Sequence, residues 1–328
     1  MNTQPVWLEA GILIPSEAAK DPQKALAAAK LDFRIERMPL FARSSTGKAL
    51  PVSQAYVVGR PDEGIVFGVV GKRYVVPQNS ELFEYFREFI QDGFGWFHAA
   101  GSIRRGRLVW ILLRLPGELS IGGQKIEKYL LLVNEYGMHS LTISFLPVRV
   151  EDFTTLGISL AALKDPTITE GVRIKHAPDF YERLYESKRL IAGMAETFHI
   201  FCKVGETLAA RKVSLEEAES YFRVVFPPKV VKRKGFFTLR RGVIKDGVFG
   251  YAARWFPRVC DLFKELPEER WTAWEAFCLV ANFLDYHAVA VRKSSRESVA
   301  ARRWEWIISG QGTTIKRRAW DLVVATFL

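Results

Sequence analysis

Near Ile174 the spacing of apolar side chains along this 328-residue chain changes from every second position to roughly every 3.6 positions. A period of two puts alternate residues on opposite faces of a strand, whereas 3.6 puts them on one stripe of a helix. The pattern predicts an α+β protein: an antiparallel sheet with crossing helices over residues 1–177, then a mostly helical part over 178–328 with a basic loop at 227–250.

Local signals place the elements. Asp21-Pro22 reads as an N-cap with proline in the first turn, opening a helix to about Lys30. Strands are expected at Phe33–Leu40, Gln54–Gly59 and Ile65–Val76, punctuated by Gly64 and Gly71. Asn79-Ser80 caps a helix to about Gln91, with Leu82, Phe83, Phe86, Phe89 and Ile90 on one face. Two strand pairs follow, Trp96–Ile103 with Arg107–Leu115 across the turn at Arg104-Arg105-Gly106, and Ile126–Val133 with Leu141–Val150. A helix is expected from Asp152 to Leu163, with Glu151-Asp152 at its N-terminus. Further helices are expected at Asp179–Ala210, Leu215–Val225, Trp271–Val291, Val299–Ile308 and Ile315–Ala325. No internal repeat or low-complexity tract interrupts the pattern.

Composition narrows the function classes. Hydrophobic residues at 48% and charged residues at 25% are the balance of a globular chain with a sizeable core. The three cysteines, Cys202, Cys260 and Cys278, form neither a disulfide framework nor a zinc knuckle and suit a reducing cytoplasm. Met1–Leu13 carries no secretory pattern, and the longest apolar stretches, Leu108–Leu113 and Tyr129–Val133, are too short to span a bilayer. A cytoplasmic location without a membrane is expected. Lysine and arginine total 47 against 36 acidic residues, a net charge of +11, and a polyanion is the partner such a surplus attracts.

Enzyme signatures are missing from the sequence. It has no P-loop, no glycine-rich dinucleotide turn and no nucleophile elbow. His98, His139, His176, His199 and His287 never fall at a two-histidine metal spacing. Pro178-Asp179 with Glu186-Ser187-Lys188 imitates the acidic set of metal-dependent nucleases, but both carboxylates lie on one expected helix, seven residues and about two turns apart. No metal, cofactor or catalytic residue is therefore expected. The alternative is a metal-dependent nuclease or nucleotide-processing enzyme with a site built from dispersed carboxylates such as Asp62, Glu151, Asp152 and Asp179.

Basic clusters carry the nucleic-acid reading. Arg104, Arg105 and Arg107 crowd one hairpin turn between Trp96 and Trp110. From Arg211 to Arg258 twelve basic residues face four acidic ones, and Lys232-Arg233-Lys234 runs into Phe236-Phe237, interleaving phosphate-binding charge with base-stacking surface. A third run comprises Arg292-Lys293, Arg296, Arg302-Arg303 and Lys316-Arg317-Arg318.

Ordered short motifs link nearly the whole chain to a known family. They are Phe67-Gly68-Val69-Val70-Gly71-Lys72-Arg73-Tyr74, Gln78-Asn79 and Phe83, then Ala100-Gly101-Ser102 with Gly106-Arg107, Pro147-Val148-Arg149-Val150, Thr155-Leu156 and Ile174-x-His176. Trp274, Asn282, Asp285-Tyr286-His287, Ser309-Gly310 and Lys316 complete the series. In this order they resemble the phage/plasmid-like proteins of the DUF932-type domain of unknown function. The chain departs from that family's pattern in reading Glu135-Tyr136-Gly137 for a His-Asp-Gly turn, and Asp152 and Thr154 for a Cys and an Asn.

The resemblance implies mobile-element biology in a prokaryotic cytoplasm. The helix, antiparallel strands and crossing helix also resemble, at fold level, single-strand annealing recombination proteins, which act as homo-oligomeric rings or filaments without nucleotide hydrolysis. The expectation is a non-catalytic single-stranded DNA-binding protein that promotes annealing or recombination. Its expected contacts are the hairpin arginines, the Lys232–Lys234 loop with Phe236 and Phe237, and Lys72, Arg73 and Arg149 from the shared motifs.

Overall fold

The computed structural model describes residues 4–137, 140–157, 171–192, 194–227, 252–288 and 297–328. Its first part runs α1 (Val6–Ala10), β1 (Ile12–Leu13), α2 (Pro22–Ala28), β2 (Glu36–Arg43), β3 (Ala49–Arg60), β4 (Ile65–Gly71), α3 (Asn79–Glu84) and α4 (Arg87–Gln91). The Asp21 carboxylate caps α2 by accepting from Gln23 N at 2.9 Å and Lys24 N at 3.1 Å. Strands β2, β3 and β4 form a separate three-stranded antiparallel sheet.

The expected single helix at 79–91 is instead broken at Tyr85-Phe86. At about 100° per residue a straight helix would point Phe83 and Tyr85 to nearly opposite sides, and the break lets both be buried. Asn79 is also not a cap. It is buried, donates to Leu31 O at 2.9 Å and accepts from the Tyr136 hydroxyl at 2.7 Å.

The main sheet contains β5 (Trp96–Ile103), β6 (Leu108–Arg114), β7 (Leu119–Ile121), β8 (Gln124–Glu135), β9 (Ser140–Arg149), β10 (Thr154–Thr155) and β11 (Gly171–Lys175). Its order is β1-β5-β6-β8-β9-β10, with β7 beside β8 and β11 beside β9, all antiparallel. Six consecutive β6 residues, Leu108–Leu113, are buried because both faces of the sheet are covered. On one face Val109, Ile111, Leu130, Leu132 and Ile143 pack with Leu26, Phe83 and Phe86 of the early helices. On the other, Trp110, Leu112, Leu131 and Val133 pack with Trp7 and with Trp304 of a C-terminal helix. Trp110 and Trp7 lie 5.3 and 5.7 Å from Trp304, each pair worth about 0.5–1.5 kcal/mol beyond simple burial.

The helix expected from Asp152 is not present at its start. Residues 154–155 form β10 instead, because the Asp152 carboxylate that would cap a helix is held by Arg149. Residues 158–163 of that expectation lie outside the described residues. The C-terminal part consists of α5 (Phe180–Ala192), α6 (Met194–Ala210), α7 (Leu215–Val225), α8 (Ala252–Lys264), α9 (Ala273–Tyr286), α10 (Val299–Ile308) and α11 (Gln311–Phe327). Here α7 and α10 match the apolar periodicity residue for residue, while α8, with Pro257 inside it, was not anticipated. Helix α11 begins earlier than Ile315, because Gly310 and Gly312 let its first turn close against Trp306, where a Cβ would sit 2.8 and 2.5 Å from that residue. A core of Phe201, Phe222, Trp274, Phe277 and Trp320 joins these helices to Ile121, Ile126 and Leu156 of the sheet region. The architecture is α+β, with a helical C-terminal part.

Candidate nucleic-acid interface

A cleft of about 450 Å³ lies between the β8-β9-β11 part of the sheet and the α10–α11 corner. Antiparallel register puts Val172 opposite Ile143, Arg173 opposite Thr142 and Lys175 opposite Ser140. Directly opposed residues share a face, so Arg173 and Lys175 stand beside the hydroxyls of Ser140, Thr142 and Ser144. Arg173 Nε donates to Ser140 Oγ at 2.7 Å. Across the cleft stand Ser309, Gly310, Thr313, Thr314, Lys316 and Arg317. Arg173 and Ser140 also line an adjoining cavity of about 530 Å³ with Tyr74, Gly137, Lys175 and His176. The two spaces meet at Arg173 and Ser140 and are together called the groove.

Two buried polar networks hold the walls. In the first, Lys316 is 1% exposed; its ammonium donates to Asp285 Oδ1, to Thr155 O at 2.7 Å and to Thr155 Oγ1 at 2.5 Å. Asp285 Oδ2 accepts from Thr155 N at 2.8 Å and Oγ1 at 2.9 Å. Burial lowers the Lys316 pKa and raises that of Asp285, and their mutual attraction opposes both shifts. This pair fastens α11, α9 and β10 together.

In the second, Gly137 N donates to the Tyr74 hydroxyl at 2.9 Å, and that hydroxyl lies 2.6 Å from His176 Nδ1. His176 Nε2 is 2.8 Å from Asn134 Oδ1. The pattern is satisfied when Tyr74 donates to Nδ1 and the imidazole carries its proton on Nε2. Burial raises the Tyr74 pKa well above its ordinary range, the Gly137 N–H opposing, so its hydroxyl stays a donor at neutral pH. Gly137 adopts φ +105, which lets the β8–β9 turn approach this hydroxyl.

The hairpin arginines occupy the expected turn, with Arg104 and Arg105 both in left-handed backbone. Carboxylates already hold them. Arg104 pairs with Glu135 at 2.9 Å and with Glu305, Arg107 with Glu135 at 3.4 Å, and Arg105 with Glu63 at 3.4 Å. Since Glu135 lines the groove, Arg104 and Arg107 set the charge of its rim. Lys72 and Arg73 are exposed in the turn after β4. Arg149 stands apart from them: it is 5% exposed and spans Asp152 and Glu275, a position no phosphate reaches with those partners in place. Lys232, Arg233, Lys234, Phe236 and Phe237 lie outside the described residues, as does the 228–250 stretch of the basic loop.

The dispersed carboxylates do not converge. Asp62 pairs with Arg60, Asp152 with Arg149, Asp179 with Arg183 and Glu151 with Arg270. Among the described residues no group of three or more His, Cys, Asp or Glu is placed to hold a metal ion. Burial raises the pKa of all three cysteines, that of Cys260 to about 11, so none is a thiolate nucleophile at neutral pH. No helix among the described residues is long and apolar enough to cross a membrane.

Arg173 and the Ser140, Thr142 and Ser144 row were not anticipated. Hydroxyls at every second position of an otherwise apolar strand were the available signal. Of the ordered motifs, Tyr74, His176, Thr155, Asp285 and Lys316 build the two networks, whereas Gln78 bonds Ile35 and Trp274 bonds Gln124 elsewhere. Asp152 and Thr154, where the chain departs from the family pattern, sit beside Arg149 and Asn282. Asn282 Nδ2 donates to both Asp152 Oδ2, at 3.0 Å, and Thr154 Oγ1, at 2.9 Å.

The fold and its polar groove define an α+β protein with a candidate anion-binding face. The chain belongs to the family described as a domain of unknown function, DUF932, which matches residues 66–306. No curated protein matches it. No solved structure matches it either.

Proposed function

We propose that this chain is a cytoplasmic single-stranded DNA-binding protein that promotes annealing or recombination without cleaving its substrate. The observation that carries this reading is the groove's lining, in which Arg173, Lys175 and Arg317 stand with at least six hydroxyl side chains, against Glu135, itself held by Arg104 and Arg107. Cations and hydroxyls grip phosphates and sugars and carry no sequence information, as an annealing protein requires. The net charge of +11 supports the same partner. Self-assembly into a ring or filament belongs to this reading, because annealing needs a strand held extended over many protomers.

Fluorescence anisotropy with labelled single strands and duplexes over a salt titration tests it. Single strands bind more tightly, and Arg173→Ala weakens binding and lowers the salt slope by about 0.7. Equal binding to heparin, duplex and single strand, unchanged by Arg173→Ala, discards the reading.

A further inference from the structure

Strands β2 and β3 outrun their sheet. Strand β4 pairs with β3 only as far as Gly71–Ala55, whereas β2 and β3 continue together to Arg43–Ala49. Their register jumps from Pro39–Tyr56 to Leu40–Val52, which re-aims the ribbon where the third strand stops. Beyond that point the in–out alternation of burial disappears, and residues 41–43 and 45–51 are all exposed. Consecutive exposed residues mean that both faces of the ribbon meet solvent. The tip is nevertheless ordered: Ser44 N donates to Lys48 O at 2.9 Å, Gly47 N to Ser44 O at 2.9 Å and Lys48 N to Ser44 Oγ at 3.0 Å.

An exposed ribbon that carries Phe41 at 58% and Leu50 at 45% exposure must be justified by a partner, since bare apolar strands invite aggregation. Charge indicates which partner. Between Phe33 and Gly59 the charged residues are Arg34, Arg37, Arg43 and Lys48 against Glu36, which Arg34 pairs at 3.2 Å. At the base Arg37 lies over the Tyr56 ring at 4.8 Å and donates to Lys72 O at 2.7 Å, tying the exposed Lys72-Arg73 turn to the ribbon. Basic side chains around an exposed aromatic fit a single nucleic-acid strand better than they fit a second, equally basic copy of this chain.

We propose that the β2–β3 ribbon is a second nucleic-acid-binding element, an arm that stacks bases on Phe41 and takes phosphates on Arg43 and Lys48. The proposal rests on the single-strand reading above and extends it to a surface outside the groove. A labelled oligothymidylate and the full chain provide the test, with light scattering for assembly size and thermal melting for the fold. Arg43→Ala with Lys48→Ala lowers the salt slope by about 1.4, at about 0.7 per lost contact. Phe41→Ala leaves the slope alone and weakens binding roughly 5- to 150-fold. Parent-like melting is expected in each variant. If a variant does melt early, Arg43→Gln with Lys48→Gln repeats the slope measurement. Arm variants that bind like the parent, while Arg173→Ala binds weakly, overturn the arm and spare the groove. A parent that binds no oligothymidylate overturns both. A Phe41→Ala chain that loses assembly size but keeps its affinity shows the arm's occupant to be a second copy.

Discussion

Arg149 Nη1 on β9 lies 3.0 Å from Glu275 Oε2 on α9, 126 residues further along the chain. The same guanidinium grips Asp152 with two further bonds, Nε to Oδ1 at 3.1 Å and Nη2 to Oδ2 at 2.5 Å. A buried arginine shared by two carboxylates locks sheet to helix. Removing it takes from Asp152 its only cation among the described residues and leaves Glu275 to Arg270 and Gln124, in a poorly hydrated site.

Arg149→Ala therefore lowers unfolding stability by about 3–5 kcal/mol in urea titrations. Arg149→Lys fails to restore it, because an ammonium cannot reproduce the two-pronged grip on Asp152. DNA affinity of the folded fraction stays at the parental value, which separates this residue from Arg173.

Acid sensitivity follows from the same cluster. Burial pushes the Asp152 carboxyl up, but the hydrogen bond and charge of Arg149, with Thr154, outweigh it and hold the pKa below the ordinary 3.8. A carboxyl depressed in the folded state contributes stability above its unfolded pKa and loses it as pH falls through the folded value. Urea midpoints should thus drop below about pH 4, and Asp152→Asn should flatten that limb while lowering the neutral plateau.

The Lys316–Asp285 pair gives a double-mutant test. Lys316→Met alone leaves Asp285 buried without its cation, and Asp285→Leu alone leaves the ammonium, so each costs about 3–5 kcal/mol. The double variant costs less than the two single losses added, since no unpaired charge remains. Additive losses measured by urea unfolding would show that the pair does not interact.

Within the hairpin Arg104 and Arg105 separate by role. Arg104 joins β8 to α10 through Glu135 and Glu305, so Arg104→Ala costs about 1 kcal/mol of stability. Arg105, more exposed and 3.4 Å from Glu63, is freer to meet a phosphate. Arg105→Ala leaves the melting curve unchanged and lowers the salt slope by about 0.7.

Chelation discriminates against the enzymatic alternative. Incubation with EDTA should leave single-strand binding intact, and magnesium or manganese should produce no cleavage products on a gel. Cleavage that vanished in Asp179→Ala or Glu186→Ala would establish a nuclease in its place.

The strand pair Trp96–Ile103 and Leu108–Arg114 and the helices Leu215–Val225 and Val299–Ile308 were legible in the sequence, because long periodic apolar patterns act locally and are bounded by Ser214, Ser298 and the Arg104–Gly106 turn. The overlong β2–β3 ribbon was half legible: both strands showed, but nothing local marks where a third strand stops.

By itself the sequence determined the class, the family and the surplus of positive charge, all of which depend on residue type and order. What each charge does was decided by tertiary structure. Arg104, Arg149 and Lys316 are as basic in the sequence as Arg173, yet Glu135, Glu305, Glu275 and Asp285 arrive beside the first three from 31 to 201 residues away. Coulomb attraction and desolvation depend on separation in space, and a cation's partners across more than a hundred residues are chosen only when the sheet and helices pack.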